Sequence, residues 1–239
     1  MKTAESEGGE LVDTTGNRSD RGEIATSSVE GCAYLIRELI LSGSLTPGEK
    51  VYQAQIADQL KISRIPVREA LSRLQAEGLL VHKPKTGFTV ARFSREELSQ
   101  VYLMRRLLET ELLRTADFDR IDVEALVAIN TQLRRIVLRD HPDTYQRLNQ
   151  ALHTAIFAAS PLELVHQEVD RLWNMSAYYR SLYLFVTDEP SHLCDAHDEM
   201  IDAIRAGDRD RLIAVCDAHR AGTEGVSAGP AWREVGGRA

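Results

Sequence analysis

Aromatic residues are scarce, at 6% of 239 positions with only two tryptophans. Leu, Ile, Val and Ala therefore carry the apolar load, a mixture that leans helical. Cysteines are also few. Cys32, Cys194 and Cys216 show no Cys-x-x-Cys spacing, so no disulfide framework is expected, only buried free thiols in a reduced compartment. No run of about 18 uninterrupted apolar residues exists, which excludes a membrane-spanning helix. The first 25 residues lack the basic start and apolar stretch of a signal peptide, and a cytoplasmic location is the expectation. An overall basic charge is missing as well, since the formal net charge is −7.

That acidity is unevenly placed. Residues 26–93 hold nine Lys/Arg and six Asp/Glu, whereas residues 94–220 hold 15 and 22. Screening confines charge effects to roughly 8–10 Å, so a locally basic module on an acidic carrier remains compatible with phosphate binding. The hydrophobic fraction of 43% is enough for real cores, and 239 residues exceed one average domain. The chain divides into a disordered tail at 1–25, a first domain at 26–93, a second at 94–221 and a flexible tail at 222–239.

The fold class expected is mainly α. In the first domain, Val29, Ala33, Ile36 and Ile40 recur at helical spacing, with Ser27 or Ser28 to cap and Gly43 to stop the helix. Pro47-Gly48 suits a type II turn. Gln53 to Leu60 reads as a short helix, and Lys61-Ile62-Ser63 as a break. Arg64 to Glu77 reads as a third helix, with Val67, Ala70, Leu71 and Leu74 as its buried stripe. Pro66 falls in its first turn and Gly78 closes it. Leu79–His82 and Gly87–Val90 are β-prone, joined by the tip Lys83-Pro84-Lys85-Thr86. Three helices and a two-stranded basic hairpin, in this order, make a winged helix-turn-helix. From the capping box Ser94-x-x-Glu97 to Ala221, about six helices and no strand are expected. Their breaks fall at Asp119–Asp122, Asp140–Asp143, Ser160-Pro161, Thr187–Ser191 and Gly207-Asp208.

In such a motif the N-terminal residues of the reading helix meet base edges in the major groove. Here those residues are Ser63, Arg64, Ile65 and Arg68, and the two arginines share a face. A guanidinium fork can pair bidentately with guanine. Ser63 suits a phosphate, Lys83 and Lys85 suit the backbone or minor groove, and Gly87 lets the wing turn tightly. An isolated Arg pair is otherwise an ordinary solvated helix face.

The segment Ile56-Ala57, Ser63-Arg64-Ile65-Pro66-Val67-Arg68-Glu69-Ala70-Leu71 and Leu74-Gln75-Ala76-Glu77-Gly78-Leu79 closely resembles the GntR family of transcriptional regulators. The wing from Pro84 to Val90 matches as well. The resemblance implies that Arg64 and Arg68 approach bases. It departs at Gln53-Ala54-Gln55, where the family often carries a charged residue.

In the second domain Asn149 and His153 are four residues apart on one helical face, and His197 and His219 fall on the last two helices. Imidazoles from three helices can converge in a bundle core to hold a divalent ion such as Zn²⁺ or Ni²⁺. From spacing alone these read more readily as core or surface histidines than as ligands. Residues 94–221 are similar to the all-helical FCD domain of one GntR branch, through Arg105-x-x-Leu108-Glu109 and the segment Ala196–Asp208. That resemblance places Asn149, His153, His197 and His219 on the family's metal-ligand positions, with Asn149 standing where aspartate is usual. Arg105 and Arg180 are candidate carboxylate clamps, and Asn174, Tyr178 and Tyr179 candidate polar walls, although plain packing is the readier reading of the two tyrosines. Arg105 reads equally well as an i,i+4 ion pair with Glu109.

The implied function is a repressor that binds a near-palindromic duplex operator as a homodimer and is released by a small carboxylate metabolite. No membrane partner is expected. Two alternatives stand beside it: a metal-dependent enzyme using the His cluster, and a constitutive DNA-binding protein with a dead sensor.

Overall fold

The computed structural model describes residues 28–137, 141–186 and 191–227. The expected N-terminal tail lies outside them, as do residues 228–239.

The first domain begins with α1 (Val29–Leu41), capped by the Ser28 side chain, which accepts from the Gly31 N–H at 3.0 Å. After the turn at Gly48 come β1 (Lys50–Val51) and α2 (Gln53–Leu60). Lys61 takes a left-handed conformation, which stops α2 and turns the chain within two residues into α3 (Arg64–Ala76). The stripe Val67, Ala70, Leu71 and Leu74 of α3 is fully buried against α1. Burying Val67, Leu71 and Leu74 contributes about 1.5–3 kcal/mol each, which holds the opposite face of α3 out toward solvent.

The wing is β2 (Leu80–Lys83) and β3 (Gly87–Val90), antiparallel with Leu80 opposite Val90 and Lys83 opposite Gly87. The sheet has three strands rather than the two expected, in the order β1-β3-β2. β1 pairs Lys50 with Thr89 and Val51 with Phe88. A two-residue strand shows no alternation to read, so only its pairing with β3 reveals it.

The second domain is helical throughout the described residues. α4 (Arg95–Thr115) opens on the capping box of Ser94 and Glu97. A 3₁₀ turn (Phe118–Arg120) leads to α5 (Val123–Arg135), capped by Asp122, and then to α6 (Pro142–Phe157). α7 (Glu163–Val186), α8 (Ser191–Arg205) and α9 (Arg209–Ser227) complete the bundle. α9 runs past Ala221 through Gly222 to Ser227, so the stretch expected to be flexible starts inside a helix. None of the described helices is long and apolar enough to cross a membrane.

Two hydrophobic cores form. One fills the bundle around Leu112, Leu126, Leu152, Val169, Met200 and Leu212. The other is the winged-helix core, and it crosses the domain boundary: Leu98, Val101 and Tyr102 of α4 and Leu172, Ala177, Tyr178 and Tyr179 of α7 belong to it. The Tyr179 hydroxyl accepts from the Phe93 backbone N–H at 2.9 Å. Thus α7 touches the first domain on one side and the bundle interior on the other.

Candidate DNA-reading surface and metal-binding cavity

The start of α3 is presented to solvent. Ser63, Arg64, Ile65 and Arg68 are all exposed, Ile65 at 71%. Ser63 is the N-cap residue, yet its side chain makes no capping bond, which leaves the hydroxyl free to meet a phosphate. Neither the Arg64 nor the Arg68 guanidinium is held in an ion pair among the described residues. The Gln53 amide donates to the Arg64 carbonyl at 2.6 Å, so the position that departs from the family pattern braces the first turn of α3. On the wing, Lys83 and Lys85 are exposed, and His82 packs on Phe88 with ring centroids 4.7 Å apart. Gly87 takes φ +89°, a conformation that strains any side chain. Lys85 shares the left-handed region at φ +67°, which its sequence did not announce.

The second site is inside the bundle. His153 on α6, His197 on α8 and His219 on α9 place their ring nitrogens within 4.8 Å of one another. Ring centroids are 5.0–5.3 Å apart. Asn149 lines the same cavity as His153 and His219. His153 and His197 are buried, and the Nε2 atom of each lacks any hydrogen-bond partner. Burial, reinforced by the His219 ring and Arg134, pushes the His197 imidazole down to about 3. Burial and the two neighbouring histidines push His153 well below the usual imidazole range. Both rings are therefore neutral at pH 7, which metal ligation requires.

Asn130 fixes the orientation of His197. Its Nδ2 donates to the Cys194 carbonyl at 3.0 Å and to Asp198 at 2.6 Å, so its Oδ1 must be the atom 3.0 Å from His197 Nδ1. Nδ1 then carries the proton and Nε2 keeps its lone pair toward the other histidines. Asp198 is in turn held by Arg134 at 2.5 Å. Two buried, neutral, unpartnered imidazole nitrogens facing a third histidine fit a divalent ion.

Beside the histidines lies a polar cluster. Glu109 accepts from Arg105 at 2.8 Å and from Trp173 Nε1 at 2.8 Å on one oxygen, and from Arg220 at 2.9 Å on the other. Burial would raise its carboxyl pKa, but the two arginines outweigh burial and hold it below the ordinary range. Arg105 is thus engaged by Glu109 and is a poor clamp for a ligand. Arg180 is different. It is 5% exposed, donates to the Trp173 carbonyl at 2.6 Å and to Ser176 Oγ at 2.8 Å, and its Nε has no partner among the described residues. Both guanidiniums lie over the Trp173 ring, at 4.3 and 4.5 Å. Arg180, Asn149 and His219 line two adjoining cavities of about 20 and 30 Å³. Tyr178 does not reach them. It sits in the winged-helix core, and half-buried Asn174 lines neither cavity, so the expected polar walls are elsewhere. Trp173 and Arg220 line the cavity instead. Both bind Glu109 from far along the sequence, which local spacing does not show. A surface concavity of about 830 Å³ lies between the wing and α4, lined by Lys83, Arg92 and Glu97 and by none of the three histidines.

Comparison with known proteins accords with this geometry. The gntR family of bacterial regulatory proteins matches residues 30–90, and the FCD domain matches residues 100–222. The chain is 28% identical over 205 residues to the transcriptional repressor GlaR of Escherichia coli, covering 81% of this chain and 92% of that one. It is 30% identical to the regulator YdhC of Bacillus subtilis over 122 residues, a stretch spanning 49% of this chain and about half, 54%, of YdhC. The E. coli McbR structure superposes with a TM-score of 0.69 at 21% identity, over 84% of this chain and 96% of that one, which shows a shared fold. These relatives are transcriptional regulators, which sets aside the enzyme alternative. The chain belongs to the gntR family of DNA-binding transcriptional regulators, in the branch that carries an FCD domain.

Proposed function

We propose that this protein is a ligand-responsive repressor that binds a near-palindromic operator as a homodimer and is released by a small organic acid. The reading rests most on one observation: α3 exposes Ser63, Arg64, Ile65 and Arg68, with neither guanidinium in an ion pair among the described residues. An exposed, brace-held arginine pair at a helix start matches the demands of major-groove reading. Arg68→Ala should relax base preference at one operator position while leaving the fold intact. Binding-site selection with both proteins checks this, and an unchanged preference would move the reading role off α3.

A second copy is needed to set two α3 helices about one DNA turn apart. Leu103, Met104 and Leu107 leave an exposed apolar stripe on α4, and this is the face assigned to the partner copy. Leu107→Glu should then run as a monomer in light scattering, and a dimer would place the interface elsewhere.

Asn149, His153, His197 and His219 would hold the metal, Zn²⁺ or Ni²⁺. When bound, the ion supplies a Lewis-acidic seat for a carboxylate oxygen. The clamp role assigned to Arg105 passes to Arg180. The cavities are close to the size of one or two waters, so the carboxylate end of the effector is what enters, and a larger acid would have to widen the gap. The route to the DNA-reading domain is α7. It carries Trp173 and Arg180 at the cavity and Leu172, Met175, Tyr178 and Tyr179 on the winged-helix side. A ligand that binds one α7 placement better than another changes operator affinity. The relevant compartment is the cytoplasm.

A further inference from the structure

Ile65 is a residue of α3 that the fold itself does not use. Among the described residues of the first domain, the exposed large apolar side chains are Tyr34, Tyr52, Val81 and Ile65, and Ile65 reaches furthest into solvent, at 71%. An α-helix turns about 100° per residue. On that wheel Ile65 stands about half a turn from the middle of the buried stripe Val67, Ala70, Leu71 and Leu74, so it points straight away from the protein. Arg64 and Arg68 lie on one side of it and Glu69 on the other, all exposed. Packing therefore does not call for isoleucine here. Helix propensity does not call for it either, because a β-branched residue on an exposed helix face is poorer than Ala, Glu or Lys. The side chain carries no donor or acceptor, so it forms no hydrogen bond with a base edge or a phosphate. In the major groove the base pairs present one methyl group, on C5 of thymine, and apolar side chains meet it. A branched aliphatic side chain at the outermost point of a reading helix, beside two arginines that can hydrogen-bond, suits that group.

We propose that Ile65 reads the 5-methyl group of a pyrimidine in each operator half-site, and so sets thymine, or 5-methylcytosine, apart from its unmethylated counterpart at that position. The inference rests on the reading of α3 as the helix that enters the groove. It divides the work of that helix. Arg64 and Arg68 supply hydrogen bonds, and Ile65 supplies an apolar contact that takes one methyl group and its own branched side chain out of water. The discrimination comes from a single methyl group, so it is modest at one position and is repeated in the second half-site.

The test uses the full chain and the operator found by binding-site selection. Each thymine of one half-site is replaced in turn by uracil, which keeps every hydrogen-bonding group and removes only the methyl, and Kd is read by fluorescence anisotropy at fixed salt. At one position the wild type should lose about fourfold in affinity, the worth of one buried methyl-sized group. Cytosine placed there should bind more weakly than 5-methylcytosine by about the same factor. Ile65→Ala removes only an exposed side chain and puts a better helix former in its place, so the fold stands. It should bind the thymine and uracil duplexes equally, and likewise the two cytosine duplexes, with base preference elsewhere in the half-site as in the wild type. A wild type that binds every uracil duplex as tightly as the parent operator would overturn the methyl contact while leaving α3 as the reading helix. A methyl effect that persists undiminished in Ile65→Ala would give the contact to another side chain, and the proposal falls. A wild type that selects no sequence at all would remove the reading role of α3, and this inference with it.

Discussion

Glu109 lies at the centre of the second domain with both oxygens committed, and it is the anchor for two arginines that flank the candidate sensor. Glu109→Gln would leave Arg105 and Arg220 buried without their shared counter-charge, a loss of about 3–5 kcal/mol at pH 7. Because the folded carboxyl pKa is lower than the unfolded value near 4.3, this stabilisation is complete above about pH 4.3. It is lost as pH falls through the folded value. Urea unfolding at a series of pH values should show the wild type and variant far apart at neutral pH and converging below about pH 4. A constant gap would mean that charge is not what Glu109 contributes. Spacing rules reach only to the fourth residue along a helix, which is why the Arg105–Glu109 pair was readable. Glu109 meets Trp173 64 residues on and Arg220 111 residues on, and His197 meets Asn130 across 67. Nothing local marks such pairs. The three histidines were found from helical placement and family likeness, but the orphaned Nε2 atoms that make the cluster chemically meaningful belong to the packed bundle.

α7 shows how one helix can serve two cores. Its cavity side ends at Arg180, while Met175 leans on the turn after α3, where a Cβ added to Gly78 would stand 2.7 Å from Met175 Cγ. Gly78 also holds φ +83°. Gly78→Ala should cost about 1–2 kcal/mol for the left-handed backbone and more for the displaced Met175. Met175→Ala in that background should recover part of the loss, as read by thermal unfolding of the single and double variants. A Gly78→Ala protein with unchanged Tm would mean that this contact does not couple the domains. The element order was readable because each break carries its own chemistry: Asp122 accepts from the Ala125 N–H, Ser94 and Glu97 close a capping box, and Gly207 takes φ +68°. Two features escaped. β1 is too short to show a period, and α9 continues through Gly222 because its earlier turns pack against α8 and α4. Tyr178 packs in the winged-helix core, the readier of its two readings, and helical phase alone could not say which neighbour covers it.

Taken whole, the molecule sets a locally basic reading head on an acidic helical carrier and joins them through a shared hydrophobic core. That continuity is the contact through which the proposed ligand response would have to pass from Arg180 to α3. Fluorescence anisotropy of the full chain on its selected operator duplex, at fixed salt, gives the Kd with no addition, with Zn²⁺, with acetate, and with both. With both present, operator affinity should fall at least about fivefold, the lower end of ordinary allosteric coupling. The same Kd under all four conditions, in a protein shown to have bound Zn²⁺, would contradict a ligand-responsive repressor.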